Sequence, residues 1–444
     1  MNDGTRPDVS VIIPTCGRPL SLRRSLDALA RQLLPGRSFQ VIVVADGDER
    51  VAEEARQAVP KGEMPPMQVI GLGRQRGAAA ARNAGATAAA APLLVFLDDD
   101  VVASPRLIAS HLDAHAGSRG STSPRAVVGY LSTDVQGGDF FDIALRGWWE
   151  AMFEGMRARG HRVTYRDLLT GNLSIPAAAF RSVGGFDEAL RCHEDFEFGA
   201  RLLAAGIDVA FSDAAAGVHD ERTGLDRSLG RKRAEGAADV QILRRHPHLL
   251  LSLPLGWFDV HAPRRQHWLR ALAFRFPSLA AGAARAMRAA LGWLEGARLR
   301  GRWQHLLDDL LTLHYWFGVL EVLPARAQVE ALRVECMAAR PPDDTMTLDI
   351  SSGAREPLWR LVDERRPRSL RVRCDGAVVG EIPDRPGSER LRGVHLQRAL
   401  CDELAAPLLR VLDARGVIRV TVSPGGAVET KGVPVASLAL GRPS

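Results

Sequence analysis

Lysine is nearly absent. Lys61, Lys232 and Lys431 are the only three in the chain, so almost all positive charge is arginine, whose planar fork suits phosphate groups. Cysteine is scarce and unpaired: Cys16, Cys192, Cys336, Cys374 and Cys401 lie far apart without a Cys-x-x-Cys spacing. That leaves no zinc site or redox pair to read and fits a reduced, cytoplasmic setting. Long apolar runs are missing too. The most apolar later stretch, Leu306 to Leu323, is interrupted by Asp308, Asp309 and His314, which argues against a spanning helix. Met1 to Asp8 is polar, with Arg6 its one basic residue and no apolar core, so no secretory signal is expected. The net charge of +6 is spread along the chain without an aromatic-basic recognition motif, so nucleic acid is not expected as a partner.

What is present suggests three regions in 444 residues, a length that supports two or three packed units. Residues 1–225 read as an α/β catalytic domain, 226–342 as an arginine-laced helical extension, and 343–444 as a small C-terminal α/β unit of unassigned role. The linker signal is Pro341-Pro342-Asp343-Asp344. In the first region Val9–Pro14, Phe39–Val44, Met67–Leu72 and Leu93–Leu97 are apolar strand candidates alternating with helical patterns. That alternation predicts a parallel sheet covered on both faces, with ligands beyond the carboxyl ends of its strands. Thr15, Asp46 and Asp98 fall there.

The aromatic cluster Phe140, Phe141, Trp148, Trp149 and Phe153 is expected mostly in the core, as are Trp257, Trp268, Trp293, Trp303 and Trp316 of the helical region. The same basic helices offer an amphipathic surface suited to peripheral membrane contact. In the last region, strands at Leu370–Arg373 and Val417–Val422, a hairpin turn at Asp375-Gly376 and one helix over Leu396–Leu412 are expected.

The chemistry is concentrated in carboxylates. A divalent cation on a diphosphate needs one or two carboxylates and leaves its other positions to phosphate and water. Asp98 and Asp100, two apart after a fully apolar strand, point the same way. Gly71-Leu72-Gly73 followed by Gly77 has the wrong spacing for a dinucleotide fingerprint. Arg76 to Gly85 instead reads as a helix whose small residues let it lie close to the sheet, with Arg82 reaching a phosphate or steadying the acidic loop. Glu194-Asp195 open a later helix, where acids also complement the helix dipole.

Taken together, Val11-Ile12-Ile13-Pro14-Thr15, Asp46-Gly47, Ala81-Arg82-Asn83-Ala84-Gly85, Phe96-Leu97-Asp98-Asp99-Asp100, Gly184 to Glu188 and Glu194-Asp195 resemble family 2 glycosyltransferases over about the first half of the chain. The resemblance implies a GT-A (nucleotide-diphospho-sugar transferase) Rossmann-like fold, a nucleoside-diphosphate sugar donor, a hydroxyl acceptor and inversion at the anomeric carbon. It places Pro14, Thr15, Arg18, Asp46, Arg82, Asn83, Asp98 and Asp99 along the nucleotide. Asp100, with Asp98 and His219, would hold Mg2+ or Mn2+, and Asp195 would be the general base, with Glu194 the alternative. Where the family commonly carries two adjacent aspartates, this chain has Ala45-Asp46-Gly47-Asp48, which leaves base identity open. A nucleotidyltransferase, or a non-catalytic sugar-nucleotide-binding scaffold, are the other readings of the same acidic site.

Overall fold

The computed structural model describes residues 6–62, 64–116, 124–135, 137–339, 342–350, 358–415, 418–422 and 428–432. By packing, the chain forms two compact units: residues 1–156 with 164–340, and residues 157–163 with 341–444. The helical region beyond residue 225 thus belongs to the same unit as the sheet. The short segment 157–163 belongs with the C-terminal one.

The first unit begins with strand and helix in alternation: β1 Val9–Thr15, α1 Pro19–Leu29, β2 Phe39–Ala45, α2 Glu49–Gln57, β3 Met67–Gly71, α3 Ala78–Ala88 and β4 Leu93–Leu97. The inner strands are apolar on both faces because helices cover both. Val11, Ile12, Ile13, Val43 and Val95 are fully buried. Asp48 caps α2 by accepting from the Val51 amide at 3.2 Å, which satisfies a donor that the helix leaves open.

Then come β5 Val101–Ala103, α4 Leu107–Ala116, β6 Arg125–Val135, α5 Phe140–Arg157, β7 Asn172–Pro176, α6 Ala177–Ser182, α7 Glu194–Ala204 and β8 Asp208–Glu221. The eight strands form one sheet in the order β3-β2-β1-β4-β7-β6-β8-β5. β1 to β4 are parallel. The expectation of a wholly parallel sheet fails at β7, which runs antiparallel to β4 and β6, and at β5, antiparallel to β8. The reason lies in the connections: β7 returns after the long excursion through α5 and enters from the opposite end. The architecture is α/β with a mixed sheet.

α8 Leu225–Arg245, α9 Pro254–His261, α10 Arg264–Arg275, α11 Pro277–Gly296, α12 Arg300–Val322 and α13 Arg326–Ala338 complete the unit. Trp303 and Trp316 are core as expected, at 2% and 1% exposure, but Trp268 and Trp293 stand out at 77% and 67%. Both lie on α10 and α11, whose inner faces pack on α12 and leave the outer faces to solvent. On α5, Phe141 and Phe153 are buried while Trp148 is exposed. No described helix is long and apolar enough to cross a membrane.

The second unit holds β9 Thr345–Asp349, α14 Leu358–Arg365, β10 Ser369–Cys374, β11 Ala377–Ile382, α15 Gly393–Cys401, α16 Ala405–Ala414, β12 Ile418–Val422 and β13 Val428–Gly432. β10 and β11 form the expected hairpin, its turn taking positive φ at Asp375 and Gly376. The single helix expected over Leu396–Leu412 is two, broken at residues 402–404.

Candidate active site

Three strand ends meet at the site. Parallel pairing of β1 with β2 and with β4 sets Thr15, Asp46 and the 98–100 loop side by side. The loop is pinned from below: the Ser25 hydroxyl donates to the Asp99 carbonyl at 2.9 Å, the Asp98 amide donates to Gly171 O at 3.1 Å, and the Asp220 amide to Asp100 O at 2.9 Å. β5 then pairs with β8 so that Val101 faces His219. This brings a histidine from far along the chain to the acidic loop.

The three aspartates point three ways. Asp98 accepts from Arg82 Nη2 at 2.8 Å. Asp99 is fully buried; it accepts from the Thr15 hydroxyl at 2.6 Å and pairs with the Arg18 guanidinium. Asp100 pairs with Arg18 Nη1 at 2.5 Å, and its Oδ1 lies 3.4 Å from His219 Nε2. Burial pushes the Asp99 carboxyl up to about 6, against the lowering effect of Arg18 and Thr15. At Asp100 burial raises too, but His219 and Arg18 outweigh it and hold the carboxyl well below its ordinary value. Asp99, expected along the nucleotide, therefore has no open face for one; it is the pillar under Thr15 and Arg18.

Two further expectations meet committed side chains. Asp46 is buried, and its two oxygens accept from the Arg76 amide at 2.5 Å and the Gly77 amide at 2.9 Å. It fastens the turn that starts α3. The Asn83 amide makes a two-way clasp with Phe186, donating to its carbonyl at 2.8 Å and accepting from its N–H at 2.9 Å. It holds the 184–188 loop, whose Gly184 and Gly185 take φ of 83° and 70°. Pro14 and Arg18 sit half-buried and half-exposed at the rim of β1.

Arg82 joins the two acidic clusters. From α3 it gives Nη2 to Asp98 and Nη1 to Glu194 Oε1 at 2.9 Å, with its side chain 5% exposed. Glu194 and Asp195 open α7, and Asp195 accepts the amide of Phe196 at 2.8 Å. Burial, then the charge of Glu194, push Asp195 up to about 6, with His193, Arg231 and Arg82 pulling the other way. A carboxyl poised there is mostly ionised at neutral pH yet more basic than an ordinary aspartate, which suits a proton acceptor.

Behind the pair lies a network that the sequence did not announce. His193, in the left-handed conformation at φ 59°, directs Nδ1 to Asp239 Oδ1 at 2.9 Å, and Asp239 Oδ2 accepts from Tyr315 OH at 2.8 Å. Burial lowers the His193 pKa, but the hydrogen bond and charge of Asp239 more than reverse that and raise it. The network ties the start of α7 to α8 and α12. One signal was legible: Asp239 is an acid on the buried face of α8, flanked by Val240, Ile242 and Leu243, where an unpartnered charge is costly.

A divalent cation finds a partial set of ligands. Asp100 Oδ1 is buried without a hydrogen-bond partner and faces His219. Among the described residues no three His, Cys, Asp or Glu side chains come together as a closed metal cage. One carboxylate and one imidazole leave most positions open, which fits a cation that also binds phosphate oxygens and water. Asp98, expected to share the metal, has Oδ1 turned to Arg82.

The sequence profile described as Glycosyl transferase family 2 matches residues 10–160. That stretch of the chain is similar to a family 2 glycosyltransferase domain. A validoxylamine A glucosyltransferase of Streptomyces hygroscopicus subsp. limoneus is 32% identical over 278 residues, covering 56% of this chain and 58% of that protein. A pre-mycofactocin glycosyltransferase of Mycobacterium tuberculosis is 28% identical over 246 residues, 54% of this chain and 48% of that one. The chain thus spans about half to three fifths of the length of these relatives. A solved mannosyltransferase from Pyrobaculum calidifontis in complex with GDP-Man and Mn2+ covers 70% of this chain and 86% of its own at 17% identity, with a TM-score of 0.46. That likeness is too distant to bear on the site. The family 2 profile ends before Glu194-Asp195, so the second acidic cluster enters the domain through geometry, by way of Arg82.

Proposed function

We propose that this chain transfers a sugar from a nucleoside-diphosphate sugar to a hydroxyl acceptor, with inversion, and that Asp195 is the base. The observation that carries the proposal is Arg82, which bridges Asp98 and Glu194 and so sets a nucleotide-side carboxylate cluster against a second cluster at the start of α7. The match to the family 2 profile supports the reaction class, and the relatives, named as a glucosyltransferase and a glycosyltransferase, support sugar transfer.

In the proposed displacement the acceptor oxygen bonds to the anomeric carbon as that carbon's bond to the diphosphate oxygen breaks. The hydroxyl proton passes to a carboxylate oxygen of Asp195. The diphosphate leaves with the bonding electron pair, and the configuration inverts because the two oxygens lie on opposite faces. Arg82 and Arg18 supply fixed positive charge on the donor side, where negative charge grows. Mg2+ or Mn2+ held by Asp100 and His219 would supply further neutralisation of the diphosphate. Asp46 and Asn83 act as braces for the two loops that border the nucleotide, and Glu194 keeps Arg82 in place.

Two measurements test the proposal. A panel of nucleoside diphosphates is expected to raise the melting temperature with Mn2+ or Mg2+ present and not with a chelator, since ligand that binds only the folded state stabilises it by mass action. Asp195→Asn is expected to keep that shift and abolish transfer. Equal shifts with and without metal would remove Asp100 and His219 from the metal role, and retained transfer would place the base elsewhere.

A further inference from the structure

From Val260 to Leu294 the chain has no aspartate or glutamate but six arginines. Three are neutralised by acids from elsewhere: Arg265 by Asp309, Arg270 by Asp259 and Arg288 by Asp226. Arg264, Arg275 and Arg285 have no ion pair among the described residues and are exposed. The uncompensated charge therefore lies on the outer side of α10 and α11, where no acid balances it locally.

The same surface carries large apolar side chains that the fold leaves in water. On α10, Arg264, Trp268, Ala271 and Arg275 are all exposed. Their spacings of four, three and four residues place them in one line along the helix. The line runs into the corner between the helices, where Phe276 is 49% exposed and Leu279 63%. On α11 the exposed line continues at sevenfold spacing through Leu279, Ala286 and Trp293. The opposite sides of these helices are the packed ones: Ala273, Ala280, Ala284, Leu291 and Leu294 are buried in the core shared with Trp303 and Trp316.

We infer that the outer face of α10 and α11 is a docking surface for an anionic lipid membrane. Indole rings, apolar with one N–H for water, belong at the level of lipid headgroups, phenyl and leucine side chains enter the acyl boundary below, and arginines beside them meet the phosphates. An acid-free face of exposed Trp, Phe, Leu and Arg is complementary to such a surface in both polarity and charge. A nucleic acid would draw on the arginines but leave Leu279 and Phe276 in water. A second copy of this chain would set six uncompensated arginines against each other, since a two-fold contact pairs the same face with itself. The docking lies in the plane of the surface and needs no spanning helix. It is independent of the transfer chemistry.

The test is co-sedimentation of the full chain with vesicles of phosphatidylcholine, with and without about a third phosphatidylglycerol. Binding is expected to the anionic vesicles and to fall steeply with salt, because exposed charges more than a Debye length apart are screened. Trp268→Ala with Phe276→Ala, and separately Arg264→Gln with Arg275→Gln, are each expected to weaken it by about tenfold or more. All four side chains are exposed, so melting temperatures should hold, and a melting curve checks this. No binding to anionic vesicles, equal binding to neutral ones, or binding that survives both double variants overturns the inference. So does a dimer that dissociates on the Trp268 and Phe276 changes without vesicle binding.

Discussion

At the scale of single residues, Asp195 sets reactivity against stability. Its folded value of about 6 lies above the ordinary aspartate value of 3.8, so the folded chain holds this proton more tightly than the unfolded chain. The stabilisation is fully present below the unfolded value and is lost as pH rises through about 4 to 6. Asp195→Asn is therefore expected to stabilise the fold at pH 7 by on the order of 1–3 kcal/mol, read as a higher melting temperature, and to give no gain near pH 4. The wild-type rate should fall on an acid limb near pH 6. A limb near pH 4, with no gain in stability, would mean that the carboxyl titrates normally and is not tuned for proton transfer. Arg82 offers a second contrast. Lysine keeps the charge but cannot reach two carboxylates with one planar fork. Arg82→Lys should leave Glu194 or Asp98 unpaired and cost on the order of 3 kcal/mol, the lower range for breaking a buried pair. A melting curve reads the loss, and transfer should drop with it. The acids at 98–100 and 194–195 were legible because their residue types sit at strand and helix ends. The direction of each side chain was not: Asp99 turns inward, Asp46 to amides and Asn83 to Phe186, because neighbours distant in sequence decide it.

At the scale of elements, close approach of α3 to the sheet sets where Arg82 can stand. A methyl group on Gly85 would come within 2.4 Å of Ile12 Cγ2 and 3.2 Å of Val44 Cγ2, so the helix lies as near to β1 and β2 as a residue without a side chain allows. Gly85→Ala gains helix propensity but has to push the helix outward, and overpacking of this kind costs about 1–3 kcal/mol. The expected result is a lower melting temperature together with weaker nucleotide binding, because Arg82 moves with α3. Gly292→Ala is the control: nothing lies within 4 Å of its added methyl on exposed α11, and it should be neutral or mildly stabilising. The small-residue run of α3 was readable in the sequence as a helix close to the sheet, and β1 to β4 were readable as apolar strands. The reversed direction of β7 was not, since Asn172–Pro176 has the same apolar pattern whichever way it runs, and its partners are fixed by the long connection before it.

At the scale of the whole molecule, the chain lends the seven residues 157–163 from the first half of the sequence to the C-terminal unit. Arg162 is the anchor. It is 6% exposed, and its guanidinium donates to the carbonyls of Glu389 at 3.0 Å, Pro383 at 2.8 Å and Arg368 at 2.8 Å. Burial lowers its pKa to about 10, against the pull of Asp384. The adjacent Val163 amide and carbonyl pair with Glu389 as well. The linker at 341–344 was legible from its prolines and aspartates, but nothing in residues 157–163 names a partner more than two hundred positions later. Arg162→Ala leaves three carbonyls without this donor, and the cost of a buried unsatisfied acceptor, about 1–3 kcal/mol, falls mainly on that of Glu389, the buried one of the three. The loss belongs to the second unit alone, so calorimetry should show its transition moving down by on the order of ten degrees while the transition of the sheet-bearing unit stays. Proteolysis under native conditions should likewise release fragments from the C-terminal hundred residues first. If both transitions moved together, the two units would unfold as one cooperative block, and the lent segment would be the strap that couples them.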